Sequence, residues 1–213
     1  MGNDVDLVET RRALHGVAEL VLAGPQYRQS GTIRLAVRAG GFCTTERPDL
    51  AVEGAVLVAG SARIPLDGAT FAALGAAAGV EAGAPQGLYE EGGGARPGDV
   101  ATVDAGAAGY IEECFVRGDA ALTRLGQVRP VLWPEHFDLG ITLDEVNYGV
   151  SPGDGHLAEP YAYVGPWKAR AGDFWNAPFG ATRPMRLLPD AGALRGFFEE
   201  GRARSAADPV QRP

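Results

Sequence analysis

The sequence predicts an α+β fold in which a mainly antiparallel sheet packs against three to four helices. Short segments that alternate apolar and polar residues, separated by glycine-containing pairs, are typical of antiparallel strands joined by tight turns. Longer segments repeat their apolar residues every three to four positions, which is typical of amphipathic helices. Because the predicted strands follow one another along the chain, we expect a meander, either open or closed into a barrel-like sheet.

Helical spacing occurs in segments that also carry suitable residues at their ends. These are residues 6–23, ended by Gly24 and Pro25; residues 68–78, begun by Asp67; residues 104–125, begun by Asp104; and a last helix begun by Asp190. An aspartate before a helix accepts hydrogen bonds from unpaired N–H groups of the first turn. A proline lacks the N–H that a continuing helix needs.

Strand-like alternation occurs in both halves of the chain. The segments are residues 32–38, 50–52, 55–58 and 63–66 in the first half, and residues 136–143, 146–150 and 159–164 in the second. Gly40 and Gly41 are expected to break the first strand, whereas Gly54 and Gly60 are expected in tight turns. The order of these segments predicts two runs of antiparallel strands.

Length and composition limit the number of domains and the kinds of partner that we expect. With 213 residues, 46% of them hydrophobic, we expect a single globular domain over residues 1–205 and a flexible tail over residues 206–213. A net charge of −8 without any basic stripe argues against nucleic-acid and anionic-membrane partners. Cys43 and Cys114 are too few for a disulfide framework, and no apolar run suits a signal peptide or membrane span, so we expect a cytoplasmic protein.

Residues 133–167 contain most of the candidate site residues. The stretch holds six carboxylates and two of the three histidines, and no lysine or arginine occurs between Arg129 and Lys168. Aromatic side chains supply affinity for a small molecule, and a few polar groups supply its orientation. The stretch therefore predicts a small-molecule site in an acidic pocket lined by aromatic residues.

Acid–base catalysis by His136, Asp138 and Glu159 is the leading hypothesis for this stretch. His136 and Asp138 are two residues apart on a predicted strand, so both side chains are expected on one face. A histidine exchanges protons near neutral pH, and a nearby carboxylate orients it or acts as a second acid or base. In an equally weighted alternative, these groups form a buried structural network without catalysis.

Six aromatic residues are the candidate substrate-binding groups: Trp133, Tyr148, Tyr161, Tyr163, Trp167 and Trp175. Tyr161 and Tyr163 are suited to donate hydrogen bonds to a developing oxyanion. Aromatic rings beside unpaired carboxylates equally suit a non-catalytic protein that binds a small cationic ligand. That alternative fails if Arg34, Arg38, Arg183 or Arg186 folds back and neutralises the acids.

Metal and cofactor sites are not expected. His136, His156 and a carboxylate would supply the three ligands of a catalytic zinc site, but no recognised spacing such as HExxH is present. Gly92–Gly94 is not followed by the lysine of a phosphate loop, so we expect a flexible connector there. His15 lies on the first predicted helix and is expected to be a surface or rim histidine; its alternative role is a site histidine.

Several long motifs resemble those of an uncharacterised family of proteins from high-G+C actinobacteria. They are LHGVAELVLAGPQYRQSGTIRL, GGF, WPEHFDLGITLDEVNYGVSPGD, EPYAYVGPW and FWNAPFGA, which together span most of the chain. The central motif is also similar to a broader domain of unknown function that contains W-P-x-H-F-D and S-P-G-D elements. The resemblance implies that residues 133–179 are a signature segment, and it brings no activity or catalytic residues.

Overall fold

The computed structural model describes residues 4–89 and 92–211, and the chain divides into two compact units. Unit 1 comprises residues 1–116 and 131–138, and unit 2 comprises residues 117–130 and 139–213. The single globular domain expected from the sequence stays a prediction.

Unit 1 begins with a continuous helical segment that consists of α1 (Asp4–Gly16), a π-helical segment (Val17–Ala23) and α2 (Gly24–Ser30). The prediction that Gly24 and Pro25 end this helix is wrong. In the π-helical register the Gly24 N–H donates to the Glu19 carbonyl, five residues earlier. The next carbonyl along the helix is that of Leu20, and Pro25 has no N–H to donate to it. The Leu20 carbonyl accepts a hydrogen bond from the Gly83 N–H instead, at 2.8 Å. A neighbouring loop therefore replaces the hydrogen bond that proline removes.

The strands that the structure describes in unit 1 are β1 (Leu35–Arg38), β2 (Gly41–Thr44), β3 (Leu50–Glu53), β4 (Val56–Ala59), β5 (Ala62–Pro65) and β6 (Val131–Trp133). Strands β1 to β5 form an antiparallel meander, and β6 pairs with β1. Gly54 and Gly60 lie in the turns with φ values of 59° and 58°. The sequence misses β2 because Gly40 and Gly41 resemble a break. Gly41 is a strand residue, and a Cβ there would overlap with the Val52 carbonyl of β3.

Two further helices are α3 (Phe71–Ala77) and α4 (Ala105–Gly126), the second of which contributes residues to both units. α3 is shorter than predicted because Thr70, rather than Asp67, accepts the hydrogen bond of the first turn, at 3.1 Å. Asp67 accepts from the backbone just before α4 instead. Asp104 caps α4 as predicted, since its Oδ1 accepts a first-turn N–H at 2.8 Å.

Unit 2 is built from β7 (Asp138–Leu143, whose first residue belongs to unit 1), β8 (Val146–Ser151), β9 (Tyr161–Pro166), β10 (Ala181–Pro184), a single 3-10 turn (Met185–Leu187) and α5 (Ala191–Ala207). The four strands form a second antiparallel meander. Asp190 caps α5 as predicted, with its Oδ1 2.8 Å from the Ala193 N–H.

The two faces of β8 and β9 carry different groups. Tyr148 pairs with Val164 across the two strands and lies on the face covered by α5, where its ring is edge-on to Phe198 with centroids 6.1 Å apart. Tyr163 pairs with Gly149 and lies on the opposite face. A Cβ at Gly149 would overlap with the Tyr163 ring. The glycine thus makes room for the tyrosine.

The ten strands that the structure describes have the order β10-β9-β8-β7-β6-β1-β2-β3-β4-β5 in one sheet. The α+β class with a mainly antiparallel sheet is confirmed, and the sheet is open rather than closed into a barrel. None of the helices in the described ranges combines the length and the apolar character needed to cross a membrane.

The C-terminal residues differ from the predicted tail as far as they are described. Helix α5 continues to Ala207. Beyond it, the Ala171 N–H donates to the Pro209 carbonyl at 2.9 Å, and the Gln211 N–H donates to the Ala169 carbonyl at 2.8 Å. Residues up to 211 therefore pair with the segment that follows β9, and residues 212–213 of the predicted tail lie outside the described ranges.

Candidate functional site

The three predicted catalytic residues are not on one strand face. His136 is exposed and lies in the turn before β7, which begins only at Asp138. The strand prediction for His136 is wrong because Phe137, which lies between His136 and Asp138, has a positive φ of 52° and turns the chain. Glu159 precedes β9 in unit 2, and its carboxylate pairs with the Arg186 guanidinium at 2.9 Å.

The predicted aromatic residues of unit 2 also divide between different surroundings. Tyr148 lies on the α5 face of the sheet, whereas Tyr161 and Tyr163 lie on the opposite face, with ring centroids 6.4 Å apart. Tyr161 donates from its hydroxyl to Asp154 Oδ2. Burial alone would raise the pKa of Asp154, but hydrogen bonds from Tyr161 and from the backbone of its own loop lower it. These three tyrosines therefore do not line one cavity.

The three predicted tryptophans have different neighbours. Trp133, in unit 1, has the Arg34 guanidinium over its ring, 5.8 Å from the centroid. Trp167 is 64% exposed in unit 2, and its indole N–H donates to Asn147 Oδ1 at 3.4 Å. The Trp175 N–H donates to an Asp208 carboxylate oxygen at 2.9 Å. Each of these rings has its own neighbours, and none of these contacts joins two of them.

The metal hypothesis gains no support from the positions of the histidines. His156 is exposed in a loop of unit 2, with its ring edge-on to Phe179, and His136 belongs to unit 1. Within residues 4–89 and 92–211, no group of three histidines, cysteines or carboxylates is placed to hold a metal ion.

A different group of titratable side chains meets in unit 1. Glu19 lies in the π-helical segment and is only 3% exposed. Its Oε1 accepts a hydrogen bond from the Tyr89 hydroxyl at 3.1 Å, and its Oε2 accepts one from the Gly93 N–H at 2.9 Å. Burial, together with the negative charge of Glu19, raises the pKa of Tyr89 well above its ordinary 10. The phenol therefore stays protonated and donates to a buried carboxylate.

His15 lies one turn before Glu19 on the same helical segment. Its Nε2 is 2.7 Å from the Pro134 carbonyl, and its ring stacks on Phe137 with centroids 5.5 Å apart. Burial lowers the pKa of His15 below 6.5, against the opposing effects of the Pro134 hydrogen bond and the Glu19 charge. The imidazole is therefore neutral at neutral pH.

Two residues of the central motif complete this group. The charge of His136 contributes to the lowered pKa of His15, and that of Glu135 contributes to the raised pKa of Tyr89. Glu135 Oε2 is buried and has no hydrogen-bond partner among the described residues. We refer to His15, Glu19, Tyr89, Glu135 and His136 as the His15 cluster.

The glycine-rich segment predicted as a flexible connector lies on the His15 cluster. A Cβ at Gly92 would overlap with the Glu19 carboxylate, and a Cβ at Gly93 would lie 3.0 Å from the His15 ring. Only glycine allows the backbone to come this close to both side chains. Gly93 also lines a cleft of about 300 Å³ beside α1, together with Arg12.

Sequence reasoning missed Glu19 and Tyr89 and placed His15 at the surface. Glu19 had a visible signal, because it is the one charged residue in the apolar run VAELVLA of the π-helical segment. A lone carboxylate on a buried helix face needs a partner, and π-helical turns are frequent at functional sites. Tyr89 had no such signal, since it lies in a loop 70 residues from Glu19.

Comparison of the chain with models of known protein families, with curated proteins and with solved structures found no match.

Proposed function

We propose that this protein is an enzyme that uses acid–base chemistry on a small organic molecule, and that the His15 cluster carries the protons. This is the function that the sequence favours. The proposed catalytic residues lie around the helical segment of unit 1 rather than on the predicted strand. His136 remains part of it as an exposed histidine beside His15. Glu159 receives no role, since its carboxylate is paired with Arg186 in unit 2. Asp138 receives none, since it is not among the groups that shift the pKa of His15 or of Tyr89.

The observation that supports this proposal is the fixed tautomer of His15. A carbonyl oxygen only accepts hydrogen bonds, so the Nε2 atom that lies 2.7 Å from the Pro134 carbonyl must carry the ring proton. In a neutral imidazole the other nitrogen, Nδ1, then carries the lone pair. A neutral histidine with one nitrogen tied to the backbone and the other holding a lone pair is equipped as a general base.

The pKa values of His15 and Tyr89 are shifted in opposite directions. The Glu19 carboxylate is held by two donors, whereas burial keeps the proton on Tyr89. Titratable groups with widely separated pKa values side by side are the usual arrangement of acid–base sites. In the proposed reaction His15 accepts a proton from the substrate, and the charge of Glu19, which is held in place by hydrogen bonds from Tyr89 and Gly93, stabilises the imidazolium that forms.

The experiment compares the wild type with His15→Gln and with the matched control His156→Gln. Each protein is incubated with a pool of small metabolites, and mass spectrometry identifies compounds that are consumed. We expect His15→Gln to abolish consumption of a compound that the wild type and His156→Gln consume equally, while its circular dichroism is unchanged. With that compound, activity is expected to fall as the pH drops through the lowered pKa of His15.

Two results would contradict the proposal. One is equal consumption by the wild type and His15→Gln. The other is ligand-induced thermal stabilisation of the wild type with no product, which would favour the binding alternative.

We also propose a cytoplasmic location, without nucleic-acid or membrane partners. Cys43 and Cys114 are not joined in a disulfide, which is in keeping with a reducing compartment. The net charge of −8 is unfavourable for binding phosphate backbones or anionic lipids. Fractionation of the native host should recover the protein with cytoplasmic markers, and recovery with membranes or in the culture medium would contradict this location.

A further inference from the structure

Unit 2 contains a cleft of about 250 Å³ that lies outside the His15 cluster. It is bounded by the turn between β7 and β8, by Tyr148 of β8, by the segment after β9 and by Ser205 near the end of α5. The volume corresponds to about eight water molecules at their liquid volume of roughly 30 Å³ each. The cleft therefore has room for a small molecule.

Three polar atoms on residues that line this cleft are buried and have no hydrogen-bond partner in the described part of the chain. They are the Tyr148 hydroxyl, the Arg170 Nε and the Ser205 Oγ. Tyr148 is 0% exposed and Ser205 is 5% exposed, so bulk water does not satisfy them. Most buried polar groups in proteins have a partner, and each unpaired one costs about 1–3 kcal/mol. Three on one cleft indicate a missing partner.

These three groups share one chemical character. An arginine Nε–H only donates, and the hydroxyls of tyrosine and serine donate readily. Burial raises the pKa of Tyr148 to about 12, despite the nearby Arg202, so this hydroxyl keeps its proton. The serine hydroxyl of a helix often donates to a carbonyl of the preceding turn, but that of Ser205 does not. The missing partner is therefore an acceptor.

The charges around the cleft favour an anion. Both carboxylates that line it are already paired: Asp144 with Arg202 at 2.9 Å, and Glu145 with Lys168 at 3.6 Å. Arg170 is a third cation on the lining, and one of its terminal nitrogens donates to the Asp208 carbonyl at 3.4 Å. Its guanidinium forms no ion pair with a carboxylate of the described residues. The cleft thus presents an excess positive charge in a chain whose net charge is −8.

We propose that the unit 2 cleft binds a small molecule through an oxyanion group, a carboxylate or a phosphate, which accepts hydrogen bonds from Tyr148, Ser205 and Arg170. One oxyanion has enough lone pairs to accept all three hydrogen bonds, and the guanidinium of Arg170 supplies the countercharge. This site is separate from the proposed acid–base centre and does not depend on it.

Titration of the full chain with sodium phosphate and, separately, with sodium acetate tests the proposal, with sodium chloride of equal ionic strength as the control. Binding is followed by the melting temperature and by the NMR signal of the Arg170 Nε–H. We expect saturable stabilisation by phosphate or by acetate but not by chloride, together with a shift of that signal. Binding of only one of the two anions supports the proposal and identifies the oxyanion.

Variants distinguish this site from other anion sites. Tyr148→Phe and Ser205→Ala should each weaken binding by about tenfold, because each removes a hydrogen bond to a charged group. Tyr163→Phe, which removes a hydroxyl on the opposite face of the same sheet, and His15→Gln should bind like the wild type. The proposal is overturned if neither anion binds the wild type, or if Tyr148→Phe and Ser205→Ala both bind as tightly as Tyr163→Phe.

Discussion

The His15 cluster of unit 1 and the cleft of unit 2 both contain buried polar side chains, but these side chains differ in their hydrogen-bond partners. In unit 1 the Glu19 carboxylate receives two hydrogen bonds and His15 is tied to a backbone carbonyl. In unit 2 the hydroxyls of Tyr148 and Ser205 are buried without partners. The His15 cluster pairs His15 and Glu19 within the chain and leaves an acceptor, Glu135 Oε2, without a partner among the described residues, whereas the unit 2 cleft leaves donors unpaired.

The difference separates two uses of buried polarity. A satisfied network fixes the conformation and the protonation states of its members, which suits proton transfer. Unpaired donors cost stability in the free protein, and a ligand that accepts their hydrogen bonds recovers that cost on binding. Substitutions in each region test this difference.

The largest effect is expected for Gly24→Ala, which disturbs the docking of the loop that contains Gly83. The new methyl group would overlap with the Gly83 carbonyl, and it would separate the Gly83 N–H from the Leu20 carbonyl that Pro25 leaves free. We expect a loss of about 3–4 kcal/mol in the free energy of unfolding. Urea denaturation measures it.

Gly109→Ala is the matched control, because Gly109 is exposed on α4 with nothing near its new methyl group. It should stabilise the protein by up to about 1 kcal/mol. A loss below about 1 kcal/mol for Gly24→Ala would show that the loop is not held as described.

A smaller effect is expected for Glu112, another carboxyl of unit 1 with an unpaired buried oxygen. It is 5% exposed, and its Oε1 has no partner among the described residues. Burial raises its pKa to about 7 from the ordinary 4.5, with a smaller contribution from the charge of Glu53 and against a hydrogen bond from the Gly54 backbone. Between these pH values the folded state binds more protons than the unfolded state, so stability falls as the pH rises.

Glu112→Gln removes this titration. Between pH 4.5 and pH 8 the free energy of unfolding of the wild type should fall by about 2–3 kcal/mol relative to that of Glu112→Gln. Denaturation curves of both proteins across this range check the difference. Parallel pH profiles for the two proteins would contradict the assignment of the raised pKa to Glu112.

A direct comparison of the two regions comes from removing one hydroxyl in each. Tyr89→Phe removes a donor to the Glu19 carboxylate and should cost about 2 kcal/mol, because hydrogen bonds to buried charges are the stronger ones. Tyr148→Phe removes a hydroxyl without a partner and should leave stability unchanged or raise it by about 1 kcal/mol. Thermal denaturation of both variants without added anions measures the two changes in stability. A loss of stability for Tyr148→Phe as large as that for Tyr89→Phe would contradict the difference between the two regions.

The smallest effect is expected at the turn between β7 and β8. Asp144 and Glu145 have φ values of 52° and 62°, a conformation that glycine adopts more easily. Glu145→Gly should stabilise the protein by about 1 kcal/mol, since the ion pair it loses with Lys168 is exposed. It should also strengthen phosphate binding to the cleft, because one negative charge is removed from the lining. Weaker phosphate binding would argue against an anion site.

Local features of the fold were predictable from the sequence, and the contacts between distant segments were not. Asp104 and Asp190 were identified as caps because their partners lie three residues further along the chain. Gly24 and Gly41 were misinterpreted because what they accommodate is a backbone carbonyl of another segment.

The same limit applies to the candidate site. His15 and Pro134 are 119 residues apart, and no local pattern predicts their hydrogen bond. The prediction for His136 used strand alternation, which the positive φ of Phe137 interrupts. The catalytic role of the His15 cluster therefore follows from tertiary contacts, whereas His136 alone was found from the motif.

The pairing of residues 169–171 with residues 209–211 has a practical consequence for measurements on unit 2. Arg170 lies in the middle of the paired segment, and its guanidinium donates to the Asp208 carbonyl. A purification tag fused directly after Gln211 would disturb the backbone pairing that positions this arginine. Binding assays are therefore best made with the tag at the opposite end of the chain.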